Sequence, residues 1–124
     1  MANFVVHEHK ARTLHWDLRL EMGYVLKSWA IPKEPPLKIG IKRLAIPTTD
    51  HPLEYINFTG VIEKGEYGAG KVEIWDTGTY KLVDQKPYKM VLDMNGKKLK
   101  GKYVLLQFKD KRGKKNWLFF KSKS

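Results

Sequence analysis

Turn-forming residues divide this chain into short segments of alternating apolar and polar residues, and none of these segments has the period of an amphipathic helix. The clearest divider is Asn95-Gly96, a dipeptide typical of tight β-hairpins. Gly23 separates His15–Met22 from Tyr24–Ile31, which we expect to pair as another hairpin. With roughly eight strands and no strand–helix alternation, the pattern predicts an all-β fold, a compact antiparallel β-barrel with short loops or a closed sandwich.

The remaining segments are assigned by the same signals. We expect Thr48–Tyr55 to be a loop or one helical turn capped by Asp50, and Gly65–Gly70 to be a tight glycine-rich turn. Residues 1–124 are predicted to form one domain, because a chain of 124 residues leaves no room for a second. The other predicted strands are Phe4–His9, Lys42–Pro47, Phe58–Ile62, Lys71–Asp76 with Thr79–Val83 in a hairpin through Thr77-Gly78, Tyr88–Met94 with Leu99–Phe108 around Asn95-Gly96, and Asn116–Lys121.

The amino-acid composition limits the kinds of function that the chain can have. The chain has no cysteine, so disulfides and thiolate chemistry are excluded and a metal site must use histidine, carboxylate or water. No apolar run is long enough to span a membrane and the first residues do not resemble a signal peptide, so we expect a cytoplasmic protein. A net charge of +11 and a pI near 9.8 predict a polyanionic partner, most simply nucleic acid.

Histidines and an aspartate are concentrated near the start of the chain. His15, Asp17 and Arg19 are spaced by two residues, so an extended strand presents all three on one face. His9 joins them if the chain after Lys10 turns back. Two imidazoles and one carboxylate suit Mn²⁺, Zn²⁺, Co²⁺ or Fe²⁺, with positions left for water and substrate. The plainer alternative is that His9 and His15 are ordinary core or surface histidines.

Other residues suit phosphate chemistry beside such an ion. Arg19 would grip a phosphate and stabilise transition-state charge, unless it only pairs with Glu21. His51 would donate to a phosphate oxygen or protonate a leaving alkoxide. His7 is a candidate fourth ligand, a support for the ligands or a substrate contact. The candidates for outer substrate contacts and for an added hydroxyl are Lys33, Arg43 and Tyr55.

Several motifs together resemble the 3′-phosphoesterase domain of bacterial DNA ligase D. The resemblance covers nearly the whole chain and is strongest up to Trp75. His7 stands where this family carries glutamine. The motifs are Phe4-Val-Val-x-x-His9-x-Ala-Arg-x-Leu-His15-Trp-Asp17-Leu-Arg19-Leu-Glu21, Gly23-Tyr-Val-Leu-Lys-Ser-Trp-Ala-Ile-Pro-Lys33, Lys42-Arg-Leu-Ala-Ile46, Asp50-His-Pro-Leu-Glu-Tyr55, and Gly60-Val-Ile-Glu-x-Gly-Glu-Tyr-Gly-Ala-Gly70 leading to Trp75-Asp76.

The resemblance implies a β-barrel enzyme that heals 3′ ends during DNA end joining. Such domains remove a 3′-terminal ribonucleoside and then the 3′-phosphate, with Mn²⁺ as cofactor. It also implies partnership with DNA or RNA/DNA primer-template ends, and with ligase and polymerase or primase activities on separate chains. In this sequence the matching metal ligands are His9, His15 and Asp17, the matching phosphate contacts are Arg19 and His51, and further functional positions are Lys33, Arg43 and Tyr55.

The sequence therefore predicts a metal-dependent phosphoesterase that processes the 3′ ends of nucleic acid. The alternative is a non-catalytic nucleic-acid-binding β-barrel. That alternative needs aromatic side chains on an open face, and it leaves the histidine–aspartate cluster without a purpose.

Overall fold

The computed structural model describes residues 2–66 and 69–123, and within them the chain is almost entirely β-strand. The strands are β1 (Ala2–Lys10), β2 (Leu14–Met22), β3 (Val25–Ile31), β4 (Lys42–Pro52), β5 (Gly60–Ile62), β6 (Gly70–Lys86), β7 (Lys89–Gly96), β8 (Lys100–Lys109) and β9 (Lys115–Lys121), with a 3₁₀ helix at Leu53–Asn57. No helix among these residues is long and apolar enough to cross a membrane.

The strands form a closed antiparallel barrel, as the sequence predicts. Eight of them follow the order β1-β2-β3-β4-β9-β8-β7-β6, and β6 pairs back onto β1 to close the cylinder. The short strand β5 lies outside this ring, paired with residues 70–72 at the start of β6. Closure removes free edges from the eight-stranded ring, which is one way in which antiparallel folds avoid edge-to-edge association.

The interior of the barrel is filled by apolar side chains. Leu18 and Trp29 lie opposite each other on β2 and β3, and both belong to the buried core. Phe4 enters the same core from β1, and Tyr103 stacks on Phe119 from β8 and β9. Because side chains alternate along a strand, the residues between these positions point to the outside of the barrel. The candidate site residues therefore lie on the outer face.

The 3₁₀ helix lies against this outer face. It contacts β1 and β3, and its Tyr55 packs against the ring of His7 at a centroid distance of 5.4 Å. Phe58, directly after the helix, stacks on Tyr55 at 4.8 Å. Tyr55 and Phe58 thus form a second layer over part of the outer face, and His7 and Arg19 beneath it are buried.

The predicted hairpin through Thr77-Gly78 is wrong, because these residues lie inside the single long strand β6. Gly78 is opposite both Phe4 of β1 and Gly96 of β7, so β6 passes here from one neighbour to the other. A Cβ atom on Gly78 would lie 2.2 Å from the Asn95 carbonyl oxygen. The glycine is required for close packing of strands and not for a turn.

The hairpin at Asn95-Gly96 is confirmed, although both residues belong to β7 and the turn follows them. The buried carboxylate of Asp76 accepts hydrogen bonds from the backbone N–H groups of Lys97, Lys98 and Leu99. A Cβ atom on Gly96 would lie 2.4 Å from this carboxylate. Asp76 therefore fixes the turn from the neighbouring strand.

Strand β4 is longer than predicted, since Thr48–Pro52 continue it by pairing with β3. The predicted cap at Asp50 is wrong, because the 3₁₀ helix begins after Pro52 and has no side-chain cap. Pro47 and Pro52 both lie within this strand, opposite Trp29 and Val25 of β3. The predicted glycine-rich turn at Gly65–Gly70 includes residues 67 and 68, which lie outside the described residues.

Candidate active site

The register of the first hairpin brings three candidate ligands together. His9 of β1 lies directly opposite His15 of β2, and His7 lies opposite Asp17. One ligand atom from each of His9, His15 and Asp17 lies within 4.8 Å of the other two. The turn at residues 11–13 therefore places the two imidazoles against the carboxylate, as the two-residue spacing predicts.

The donor atoms of these three residues have a chemistry and spacing that fit one cation. Asp17 Oδ2 lies 3.3 Å from His15 Nε2 and 3.6 Å from His9 Nδ1. Atoms bonded to one ion at about 2.1 Å are separated by roughly 3.0–3.4 Å, depending on coordination geometry. His15 Nδ1 lies 3.3 Å from the Thr13 carbonyl oxygen. A hydrogen bond there leaves Nε2 as the ligand atom, which is how metal-binding imidazoles are commonly oriented.

Electrostatics couple His15 to Asp17 when no cation lies between them. The hydrogen bond with Asp17 raises the pKa of His15 above its usual value, against the opposing effect of burial. Burial by itself would raise the pKa of Asp17, but the hydrogen bond from His15 and the charge of Arg19 outweigh it and hold that pKa below its usual value. The carboxylate is therefore ionised, and a proton on His15 competes with a cation for the same place.

Arg19 is held in the site by several partners. Its Nη2 donates to Asp17 Oδ2 at 3.3 Å and its Nε donates to His7 Nδ1 at 3.0 Å. Its Nη1 donates to Ser28 Oγ at 2.9 Å and lies 3.2 Å from His51 Nδ1. The guanidinium carbon also lies 5.0 Å from the centre of the Tyr55 ring. Arg19 is 4% exposed, so these contacts fix a buried charge in one orientation.

His7 lies behind Arg19 and not at the pocket surface. It is fully buried, and its Nδ1 accepts the hydrogen bond from Arg19. Burial, together with the charge of Arg19, lowers the pKa of His7 from 6.5 to about 4. A neutral imidazole is the form that accepts a hydrogen bond from a guanidinium, so His7 supports Arg19 and does not itself line the pocket.

A pocket of about 230 Å³ opens in front of these groups. Burial and the charge of Arg19 lower the pKa of His51, so its imidazole is neutral near pH 7. His51 Nδ1 also lies 2.9 Å from the Thr49 carbonyl oxygen. Burial raises the pKa of Tyr55, so its hydroxyl keeps its proton. The lining residues are His9, Ala11, His15, Asp17, Arg19, Ala30, Thr48, His51, Tyr55 and Ile62.

Two predicted substrate-contact residues lie elsewhere. Lys33 and Arg43 line a separate pocket of about 250 Å³ together with Lys42. Arg43 Nε donates to the Glu34 carbonyl oxygen at 2.8 Å, and this bond orients the guanidinium. These cations therefore do not line the pocket in front of Asp17.

The sequence reasoning missed Ser28 and Thr48. Ser28 lies opposite Arg19 in the hairpin of β2 and β3, so the register about the turn at Gly23 contained a signal for it. Thr48 lines the pocket only because β4 continues beyond Pro47, and no local pattern in the sequence indicates that extension.

Taken together, the fold and the site define a small antiparallel barrel with an imidazole–carboxylate cluster beside a buried arginine. The sequence profile of the family described as the DNA ligase D 3′-phosphoesterase domain matches residues 7–107. The chain therefore belongs to that family, which confirms the resemblance seen in its motifs.

Relatives of the chain are much longer proteins. The multifunctional non-homologous end joining protein LigD of Mycolicibacterium smegmatis is 44% identical over 131 residues, which cover 97% of this chain and 17% of the relative. The LigD protein of Mycobacterium tuberculosis is 47% identical over 108 residues, 84% of this chain and 14% of the relative. The LigD protein of Pseudomonas aeruginosa is 38% identical over 128 residues, 99% of this chain and 15% of the relative. The chain thus spans less than a fifth of the length of these relatives.

Proposed function

We propose that the chain is a metal-dependent phosphoesterase that removes a 3′-phosphate and a 3′-terminal ribonucleoside from primer-template ends. The observation that carries this proposal is the meeting of His9, His15, Asp17 and Arg19 at one open pocket. The family supports a hydrolase acting on DNA ends, and the name of the relatives supports a role in non-homologous end joining.

Mn²⁺ is the cation that we expect, with other divalent transition metals as substitutes. When bound, the cation would polarise a phosphoryl oxygen and supply positive charge for the transition state. His9, His15 and Asp17 would hold it with three donors, which leaves positions for substrate and water. The role of the protein here is to present these donors already oriented, through Thr13 for His15 and through Arg19 for Asp17.

Arg19 would bind a phosphate that enters the pocket. Because His7, Ser28 and Asp17 already fix its guanidinium, little reorganisation is needed when negative charge develops. Tyr55 would donate a hydrogen bond from its hydroxyl to a phosphate oxygen, since its raised pKa keeps the hydroxyl protonated. These two groups would position the phosphate in front of the cation.

His51 would supply a proton to the leaving oxygen. Its pKa is lowered by burial and by Arg19, but an arriving phosphate adds negative charge and so raises that pKa. The imidazole would then be protonated only when substrate is bound, which suits a general acid. The nucleophile for the diester step is either water or the 2′-hydroxyl of the penultimate residue, whose 3′-oxygen carries the scissile phosphate. A substrate with a 2′-deoxy penultimate residue distinguishes the two.

Substrate binding outside the pocket would depend on charge. The net charge of +11 suits the phosphate backbone of a primer-template without reading its bases. We propose that Lys33 and Arg43, which line a separate pocket together with Lys42, contact a second phosphate of the strand.

The decisive experiment uses labelled primer-templates that end in a 3′-phosphate or a 3′-ribonucleotide, with and without Mn²⁺. We expect the wild-type chain to shorten or dephosphorylate both ends only when Mn²⁺ is present. Asp17→Asn and His15→Ala should lose this activity by about 10²-fold or more. Asp110→Asn is the matched control and should keep the activity. It makes the same aspartate-to-asparagine change, but Asp110 lies in the β8–β9 turn, outside the pocket.

Binding of the primer-template without any Mn²⁺-dependent product would favour the alternative, a non-catalytic nucleic-acid-binding barrel. Wild-type turnover in His15→Ala would reject the proposed ligand set. A cooperative thermal melt of each inactive variant is required, because a structural role for the cation predicts unfolding on chelation and the catalytic role does not.

A further inference from the structure

We propose that a further pocket, lined by Trp29 and Trp117 and called here the second pocket, binds the nucleoside attached to the phosphate. It lies beside the pocket in front of Asp17, and this inference rests on the proposed function. The second pocket measures about 250 Å³. Its walls are mostly apolar and aromatic, and polar groups lie along its rim. The lining includes the rings of Trp29 and Trp117 and the polar side chains of Lys27, Asp50 and Gln85.

The pocket opens where one wall of the barrel separates. Strand β4 pairs with β9 only as far as Ala45, which is opposite Trp117. The following residues of β4, from Ile46 onward, pair with β3 instead. Pro47 lies directly opposite Trp29, so the divergence of β4 from β9 exposes aromatic groups near the edge of the core.

The half-buried Trp117 supplies a surface on which a base can pack. The rings of Trp29 and Trp117 lie 6.1 Å apart at 78°, an edge-to-face contact through which the buried Trp29 holds the Trp117 ring in place. Trp117 is half-buried and Trp29 is 5% exposed. Every base offers a flat face to such rings, so stacking here would bind a nucleoside with little regard to its identity.

Two residues connect this pocket to the phosphate pocket. Thr48 lines both pockets. Ser28 lines the second pocket, and its Oγ accepts the hydrogen bond from Arg19 Nη1 at 2.9 Å. The two pockets are therefore adjacent, and the nucleoside esterified to a phosphate at Arg19 would enter the second pocket.

Polar groups at the rim suit the edges of a nucleoside. Lys27 Nζ lies 3.4 Å from Asp50 Oδ2 in an exposed ion pair, and Gln85 is exposed on the other side. These residues offer both donors and acceptors to a sugar hydroxyl or to the polar edge of a base. A purely apolar ligand would leave this rim without a role, whereas a nucleoside uses the walls and the rim together.

The test compares two primer-templates that end in a 3′-phosphate, one with a normal terminal nucleoside and one with an abasic terminal residue. For the wild-type chain with Mn²⁺ we expect kcat/KM to be at least about 5-fold higher with the base present, as base–aromatic stacking implies. Trp117→Leu should bring this ratio close to one. Trp75→Leu is the matched control and should keep the wild-type ratio, because Trp75 does not line the pocket.

Equal rates on the two substrates for the wild-type chain, or an unchanged ratio in Trp117→Leu, would overturn the nucleoside pocket. If the wild-type chain releases phosphate from neither substrate, the proposed function itself is contradicted. Calorimetry without Mn²⁺ then decides the pocket separately: a nucleoside 3′-monophosphate should bind at least about 5-fold more tightly than inorganic phosphate. Equal affinities would reject the inference, even if Trp117→Leu fails to fold.

Discussion

Replacing the central carboxylate by an amide, in Asp17→Asn, should destabilise the protein strongly when no metal ion is present. Asp17 Oδ2 contacts Arg19, His15 and His9, and both Asp17 and Arg19 are almost fully buried. Removing one member of a buried pair leaves the other charge without compensation, which costs about 3–5 kcal/mol. At about 4 °C per kcal/mol for a chain of this size, the melting temperature should fall by roughly 12–20 °C.

The assay is thermal unfolding in a chelating buffer, followed by circular dichroism. Asp50→Asn is the matched control, because Asp50 forms an exposed ion pair with Lys27 and such pairs contribute about 0–1 kcal/mol. In Asp17→Asn combined with Arg19→Met both charges are absent, so a good part of the lost stability should return. If Asp17→Asn melts within a few degrees of the wild type, or if Asp50→Asn is equally destabilised, then Asp17 does not compensate a buried charge.

The same variants report on the metal. Saturating Mn²⁺ at about 100 times its dissociation constant should stabilise the wild-type chain by about 2.7 kcal/mol. Asp17→Asn should show little of this stabilisation, whereas Asp50→Asn should show all of it. Equal stabilisation in the two variants would mean that the cation binds elsewhere.

Three further results are expected. The pKa of His15 is raised and its proton must leave before a cation binds, so Mn²⁺ affinity should increase as pH rises through that pKa; a flat calorimetric profile would contradict this. Ser28→Ala should lower kcat/KM by about 10- to 100-fold through misplacement of Arg19, and Ser28→Thr should restore it. The folded pKa of His7 is about 4 against 6.5 unfolded, so stability should fall by about 3 kcal/mol as pH drops from the upper to the lower value. The free energy of unfolding is measured by urea titration at both pH values. Over this range His7→Gln should lose about 3 kcal/mol less stability than the wild type, because the glutamine amide accepts the hydrogen bond from Arg19 and does not titrate.

Local signals in the sequence account for the parts of the fold that were predicted correctly. The hairpins at Gly23 and at Asn95-Gly96 have turn residues and flanking strands that are neighbours in the chain. The same locality explains the ligand cluster, since His9, His15 and Asp17 come from one hairpin. Side-chain alternation on paired strands is sufficient to place these groups on one face.

What the sequence did not predict depends on contacts between distant segments. The course of β6 past Gly78 is set by close approach to β7, and Asp76 accepts hydrogen bonds from a turn 21 to 23 residues later in the chain. The glycine of Thr77-Gly78, which predicted a turn, is therefore explained by the close packing of two strands. The extension of β4 through His51 depends on pairing with β3, and this extension brings His51 and Thr48 to the pocket.

The packed interior explains why the site lies on the outside of the barrel and why its residues depend on one another. Side chains such as Phe4, Leu18 and Tyr103 fill the interior, so no ligand has room there. Charged groups on the outer face would normally be hydrated, but Tyr55 of the 3₁₀ helix packs against Arg19, and Arg19 and Asp17 are both almost fully buried. This burial would strengthen the attraction between Arg19 and an arriving phosphate, and it also makes each charge costly to keep without its partner. It follows that substitutions in this cluster should change stability and activity together, whereas changes at the rim of the neighbouring tryptophan pocket should change substrate preference alone.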